Sequence, residues 1–264
     1  MKRFSTLKVG LIFLLFLMTA CSHIDEGDRL IYVKPEPARR TVLLEDFTGQ
    51  RCVNCPTATA VAEQLAKMYG DTVIVVAIHG GPLGFKGNAS AKGLATDLGD
   101  TYYSHWGLEY QPVGLIDRLG AVNYTDWTAH VTEELHKTSP LSISLYAKLE
   151  GDAIDVNVTM MGRETTQTGR LQVWLTEDGI TALQMMPDGT AKHDYVHHHV
   201  LRAAVNGNWG EDFSIGEGET KTFRMQQAVD AYWNTAQLFI VAFAYSDNGV
   251  MQATRVKVQN DVQQ

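Results

Sequence analysis

Thr41-Val42-Leu43-Leu44-Glu45-Asp46-Phe47-Thr48-Gly49-Gln50-Arg51-Cys52-Val53-Asn54-Cys55-Pro56 is the stretch that decides the fold. Its apolar run up to Phe47 suits a short buried strand, and Thr48-Gly49-Gln50 has the composition of a turn. A helix is expected next. Ala58, Val61, Ala62, Leu65 and Met68 recur at helical spacing, while Glu63, Gln64 and Lys67 lie off that stripe. Pro56 falls in the first turn, where its missing N–H costs little, and Gly70 sits where a C-terminal cap belongs. The cysteines therefore lie between a buried strand and a helix start.

That context gives the pair its chemistry. The unsatisfied N–H groups and positive dipole end of a helix favour a thiolate at Cys52, and Arg51 adds a neighbouring positive charge. Cys52 is the candidate attacking thiol, with Cys55, one turn into the helix, as the resolving thiol. Two other uses compete. A C-x-x-C pair supplies half of many zinc sites, but no further cysteine follows Cys55 to supply the other half. A purely structural disulfide would close a very short loop and so constrain the unfolded chain little.

Downstream, Thr72 to Ile78 is almost wholly apolar and β-branched, as a strand covered on both faces would be. Strand, helix and strand in that order imply a right-handed crossover and parallel pairing. The segment from Gly80 to Trp106 is expected as a loop followed by a helix near Ala89 to Tyr103. Val113 to Ile116 returns as a strand, and Thr125 starts a helix with Trp127, Val131 and Leu135 on one face.

After Ser139 the period becomes two. Leu141, Ile143, Leu145, Ala147 and Leu149 alternate with polar residues, as do Ile154, Val156, Val158 and Met160. Further strand-like runs at Leu171 to Thr176, Lys221 to Met225, Leu238 to Tyr245 and Met251 to Val258 are separated by turn pairs such as Asp188-Gly189. The predicted organisation is an α/β domain over residues 40–139 and an all-β, immunoglobulin-like sandwich over residues 140–260.

The N-terminus reads as a processing signal. Lys2, Arg3 and Lys8 precede an apolar run, Leu11 to Ala20, too short to span a bilayer. Residues 1–20 are expected to be cleaved and residues 21–39 to form a flexible, proline-containing tether. Leu17-Met18-Thr19-Ala20-Cys21 is similar to a bacterial lipoprotein signal, which implies lipidation of Cys21. Cys52 and Cys55 would then be the only thiols of the mature chain. Without the leader, 19 basic residues face 30 acidic ones, a formal charge of about −11 that argues against nucleic acid as a partner.

Leu43 to Phe47, the turn, Cys52-x-x-Cys55 and the following helix resemble the active-site region of the thioredoxin superfamily. The resemblance gives Asp46 the role of a buried proton relay for the resolving thiol. Burial would independently raise its pKa, and Leu44 and Asp46 share a strand face; the alternative turns Glu45 inward instead. Thioredoxin-like proteins also carry a cis-proline facing the dithiol, and Tyr110-Gln111-Pro112-Val113 makes Pro112 the candidate, with Gln111 beside it to orient an extended substrate. A trans-proline merely opening a strand would read the same way. Arg51 and Val53-Asn54 depart from the usual thioredoxin residues, so substrate preference does not carry across. At whole-chain scale, anchored on Phe47 to Pro56, the sequence resembles the twenty-eight-kilodalton outer-membrane protein family, which implies a lipoprotein of the bacterial outer membrane.

Two functions follow. One is an envelope thiol-disulfide oxidoreductase acting on protein disulfides, tethered to the membrane through Cys21. The other is a non-enzymatic surface lipoprotein, a binding or adhesion module with an oxidised Cys pair. His193, His197, His198 and His199 form a dense group in which strand alternation would put His197 and His199 on one face, but no carboxylate or cysteine pattern completes a metal site. Five tryptophans include possible carbohydrate-stacking residues, though packing is the commoner use. No phosphate loop, dinucleotide fingerprint or Ser-His-Asp elbow is present, and no cofactor is expected.

Overall fold

The computed structural model describes residues 34–260. Cys21, its leader and most of the expected tether lie outside the described residues. Strand β1 (Val42–Thr48) leads through the cysteine turn into helix α1 (Cys55–Tyr69), and β2 (Val73–His79) pairs in parallel with β1 from Val42↔Val73 to Thr48↔His79. Gly70 closes the helix at φ +57°, a conformation only glycine adopts without cost. Strand β3 (Val113–Ile116) pairs antiparallel with the other edge of β1, and β4 (Ala121–Val122) follows it.

Every residue of β1 and β2 is buried. One face, with Val42, Leu44, Val73 and Val75, packs on Ala58, Ala62 and Leu65 of α1 and on Trp127 and Val131 of helix α3 (Trp127–Leu135). The opposite face carries Leu43, Phe47, Ile74, Val76 and Ile78 against Tyr102 and Tyr103 of helix α2 (Asp97–His105). Helix α2 starts later than its sequence predicts. Residues 87–88 and 91–92 form a small hairpin with Gly87 at φ +91°, and Thr96 caps the helix by accepting from the Gly99 N–H. The serine-, lysine- and glycine-containing run before Thr96 lacks an apolar stripe, so a turn wins over a helix there.

The strands after Pro140 are β5 (Leu141–Glu150), β6 (Ala153–Gly162), β7 (Gln167–Glu177), β8 (Ile180–Met185), β9 (Ala191–His197), β10 (Val200–Ala204), β11 (Glu211–Ile215), β12 (Thr220–Ala228), β13 (Leu238–Ser246) and β14 (Gly249–Lys257). One sheet runs β14-β13-β7-β10-β2-β1-β3-β4, with β11 also paired to β7. It crosses the position expected for a domain boundary. The join is narrow: β10 meets β2 at Val200↔Ala77, and Ala77 donates its N–H to His199 O at 2.8 Å. A second sheet, β12-β6-β5, stacks on the β7, β13 and β14 side through Ile154, Val156 and Val158 against Leu171, Val173, Ile240 and Ala242. This is the two-layer packing that the alternation of β5 and β6 demands.

Trp174 and Phe243, from the β-rich half, sit in the same cluster as Leu43 and Phe47 from the α/β half. Polar groups join the halves as well. Arg40 donates to Asp117 through Nε and Nη2 and to Val250 O, and lies 3.0 Å from Glu134. Residues 34–260 form one compact unit. The histidine group does not behave as its alternation predicts. β9 ends at His197, and His199 adopts a left-handed backbone at φ +58°, so the two imidazoles do not share a strand face. His197 instead packs on His79, with ring centroids 5.3 Å apart.

Candidate functional site

Cys52 and Cys55 are joined in a disulfide, their Cα atoms 5.4 Å apart, and Cys55 is the first residue of α1. Both are buried, at 2% and 1% exposure. The helix entrance therefore sits where the sequence puts it. What closes it from solvent comes from far along the chain: the β8–β9 hairpin lies over the cysteine turn. Gln184 Nε2 donates to Cys52 O at 3.0 Å and Gly49 O at 3.3 Å, and Met185 N donates to Gln50 O at 2.8 Å.

Gln50, fully buried, completes the attachment. Its Nε2 donates to Lys92 O and Leu183 O, and its Oε1 accepts from Leu94 N. One amide thus satisfies three backbone groups, two from residues 92–94 and one from β8, which is why a polar side chain occupies the spot. Gly49 is obligatory for packing: a Cβ there would lie 2.3 Å from Leu83 O. The Arg51 guanidinium lies over the Phe85 ring, 4.9 Å from its centre.

Asp46 is buried on the face of β1 that α1 covers, while Glu45 points to the opposite face and pairs with Arg118 at 2.8 Å. Both carboxylates are inward because the sheet is covered on both sides. Burial pushes the Asp46 carboxyl up to about 7, and its Oδ1 has no hydrogen-bond partner among the described residues. Burial also raises Glu45, opposed by Arg118. The Gln111–Pro112 peptide is cis, and both residues are buried. The Gln111 side chain is engaged: Nε2 donates to Thr48 O and Gly80 O, and Oε1 accepts from Leu83 N. It ties the loop after β2 to the end of β1.

The histidines are set by burial too. His79 is held well below the usual imidazole range by desolvation, with His197 and Arg202 adding to the effect. His197 and His199 are lowered to about 4, again chiefly by desolvation. Among the described residues no group of three or more His, Cys, Asp or Glu side chains is arranged to hold a metal. Gln184 and Gln50 escaped sequence reasoning, since a glutamine in a strand or turn carries no periodic signal. The β8–β9 hairpin was legible only through its turn at Asp188-Gly189.

A β-rich molecule with a helix-entrance disulfide sealed by a hairpin is the class that fold and site define. The chain belongs to the Omp28 family: the family model described as outer membrane protein Omp28 matches residues 99–262. That match starts after the Phe47 to Pro56 stretch, so the family signature lies in α2, β3, α3 and the β-rich half. Among solved structures, HBP35 of Porphyromonas gingivalis is similar at TM-score 0.67 and 14% identity, covering 86% of this chain and 79% of that one. Protein AGR_C_4864 from Agrobacterium tumefaciens is similar at TM-score 0.50 and 15% identity, over 87% and 98%. A domain of the outer membrane lipoprotein Omp28 from P. gingivalis is 27% identical over 46% of this chain and 90% of that one, at TM-score 0.35. No curated protein matches the chain. No helix among the described residues is long and apolar enough to cross a membrane.

Proposed function

We propose that this protein is a non-enzymatic binding lipoprotein of the outer membrane, anchored through Cys21, in which Cys52–Cys55 is a structural clamp. The burial of both cysteines beneath Gln184 and Met185 carries the reading. Disulfide exchange needs in-line approach of an attacking thiolate to a sulfur, and a sulfur under a stitched hairpin refuses that approach. The short loop adds little through unfolded-chain entropy. Its value is local: it fixes the carbonyls of Gly49 and Cys52 where Gln184 reaches them. The expected result is that the purified mature chain does not reduce or shuffle a model disulfide, and that its cysteines resist alkylation after brief exposure to dithiothreitol. Trapping an envelope protein as a mixed disulfide on Cys55→Ser would overturn it.

A second reading rests on one observation, the disulfide at the mouth of α1 on a β1-α1-β2 unit with Asp46 buried in the same strand. This arrangement resembles a thioredoxin-like domain, with the stacked sheets as an immunoglobulin-like sandwich behind it. After hairpin opening, the reduced Cys52 thiolate would attack one sulfur of a substrate disulfide and expel the other as a thiolate. Cys55, passing its proton to Asp46, would then attack the Cys52 sulfur of the mixed disulfide and expel the second substrate sulfur as a thiolate, so that the Cys52–Cys55 disulfide re-forms and two electrons leave the dithiol for the substrate. A membrane dithiol donor would be needed to reset it. Turnover of a model disulfide that rises when the hairpin is loosened would favour this second reading.

A further inference from the structure

A cavity of about 570 Å³ lies at the other end of α2 from the residues that cap it, and the cysteine site does not use it. Trp106, Arg118, Arg170, Trp209, Tyr245 and Asp247 contribute to its lining. Its volume is in the range of small-molecule sites.

Arg118 decides what it can hold. Asp117 and Arg118 both adopt left-handed backbone, φ +49° and +61°, which turns the chain after β3. The guanidinium is enclosed by rings: Tyr245 at 4.3 Å, Phe243 at 4.7 Å, Trp174 at 5.3 Å and Trp106 at 5.8 Å. Nε is used by Glu45 at 2.8 Å. Nη1 and Nη2 have no acceptor among the described residues, and neither has Trp106 Nε1. Arg118 is 6% exposed. Buried donors without acceptors cost free energy unless something arrives to accept from them. The two Nη groups form the end-on fork that matches the two oxygens of a carboxylate.

We propose that this cavity binds a small carboxylic acid carried on a ring, its carboxylate on Arg118 Nη1 and Nη2 with Trp106 Nε1 as a further donor, and its ring against Trp209 and Tyr245. A single negative charge suits the cavity better than a phosphate dianion. Glu45 already pairs with Arg118, Asp212 pairs with Arg170 at 2.9 Å, and Asp247 stands at the exposed rim. The flat faces accept either an aromatic acid or a sugar acid, and the shared carboxylate is the recognised group. The inference deepens the binding reading above and rests on it. Its assay has no thiol readout, so failure here and failure of that reading are separable.

The test is titration of the mature chain with phenylacetate and with glucuronate, followed by tryptophan fluorescence and calorimetry, with phenylacetamide and glucose as uncharged counterparts. Saturable binding of one acid is expected, at least tenfold tighter than its uncharged counterpart, and which acid wins identifies the ring. Trp106→Phe keeps the ring, removes the orphan donor and should weaken binding by about threefold without lowering the melting temperature. Arg118→Lys keeps the charge, loses the fork and should weaken binding by more than tenfold, with folding checked by near-ultraviolet circular dichroism. No saturable binding of either acid, equal binding of acid and uncharged counterpart, or binding unchanged in Trp106→Phe would overturn the proposal.

Discussion

The side-chain amide of Gln184 donates a 3.0 Å hydrogen bond to the carbonyl oxygen of Cys52, across 132 residues of sequence. The same nitrogen lies 3.3 Å from Gly49 O. A hairpin in the β-rich half is thereby fastened to the turn that holds the disulfide. Removing the amide leaves two buried carbonyls without this donor, a cost of about 1 to 3 kcal/mol. Gln184→Ala should raise the rate of disulfide reduction by dithiothreitol in the native protein by about tenfold, the factor that 1.4 kcal/mol supplies. Timed alkylation and mass spectrometry measure it; a rate equal to the parent's would show that the hairpin does not gate the sulfurs.

Gly49 permits the contact that positions the turn. A methyl group would meet Leu83 O at 2.3 Å, and Leu83 O already accepts from Arg51 N. Gly49→Ala should therefore destabilise the protein by about 3 kcal/mol, since backbone on both sides must move. Gly216→Ala is the control. Its nearest neighbours would be 3.5 and 3.9 Å away, ordinary contacts, so the expected change is under about 1 kcal/mol. Urea midpoints of the two variants give the comparison.

Asp46 makes stability depend on pH in an unusual sense. Its folded-state pKa is about 7 against an ordinary 3.8, with burial as the cause. A raised carboxyl contributes stability that is complete below the unfolded pKa and is lost as pH rises through the folded one. Asp46→Asn should accordingly be more stable than the parent above pH 7, by up to about 4 kcal/mol, and similar to it near pH 4. His197 and His199 act oppositely: depressed to about 4, they hold stability above the ordinary imidazole pKa and lose it as pH falls through 4. Parallel denaturation curves for parent and Asp46→Asn at pH 5 and pH 8 would refute the assignment to Asp46.

Arg40 neutralises charge that the fold has buried. Asp117 is pushed up to about 6 mainly by burial, against the pull of Arg40, and Glu134 lies 3.0 Å from the same guanidinium. Arg40→Met leaves those carboxylates without this cation and should cost about 3 kcal/mol at pH 8. The loss should shrink at pH 5, where Asp117, its pKa raised further by removal of the cation, takes up a proton. Thermal melts at the two pH values test the difference; an equal loss at both would show that packing, not charge, is what Arg40 supplies.

Local patterning made much of the fold legible. The run from Val42 to Phe47, the stripe from Ala58 to Met68 and the alternation from Leu141 to Met160 each have a period that belongs to one kind of element. The helix-entrance position of Cys55 and the burial of Asp46 follow from those periods, because strand and helix fix where the turn between them lies. Only the tertiary structure decided that β10 would add the β-rich half to the edge of β2, and that β8 and β9 would cover the sulfurs. It also brought Arg118, Trp106 and Tyr245 around one cavity. Such contacts join residues far apart in the chain, and no local period encodes which distant amide will meet a given carbonyl. The sequence determined what each segment becomes; the packing of segments on one another determined what the cysteines can reach.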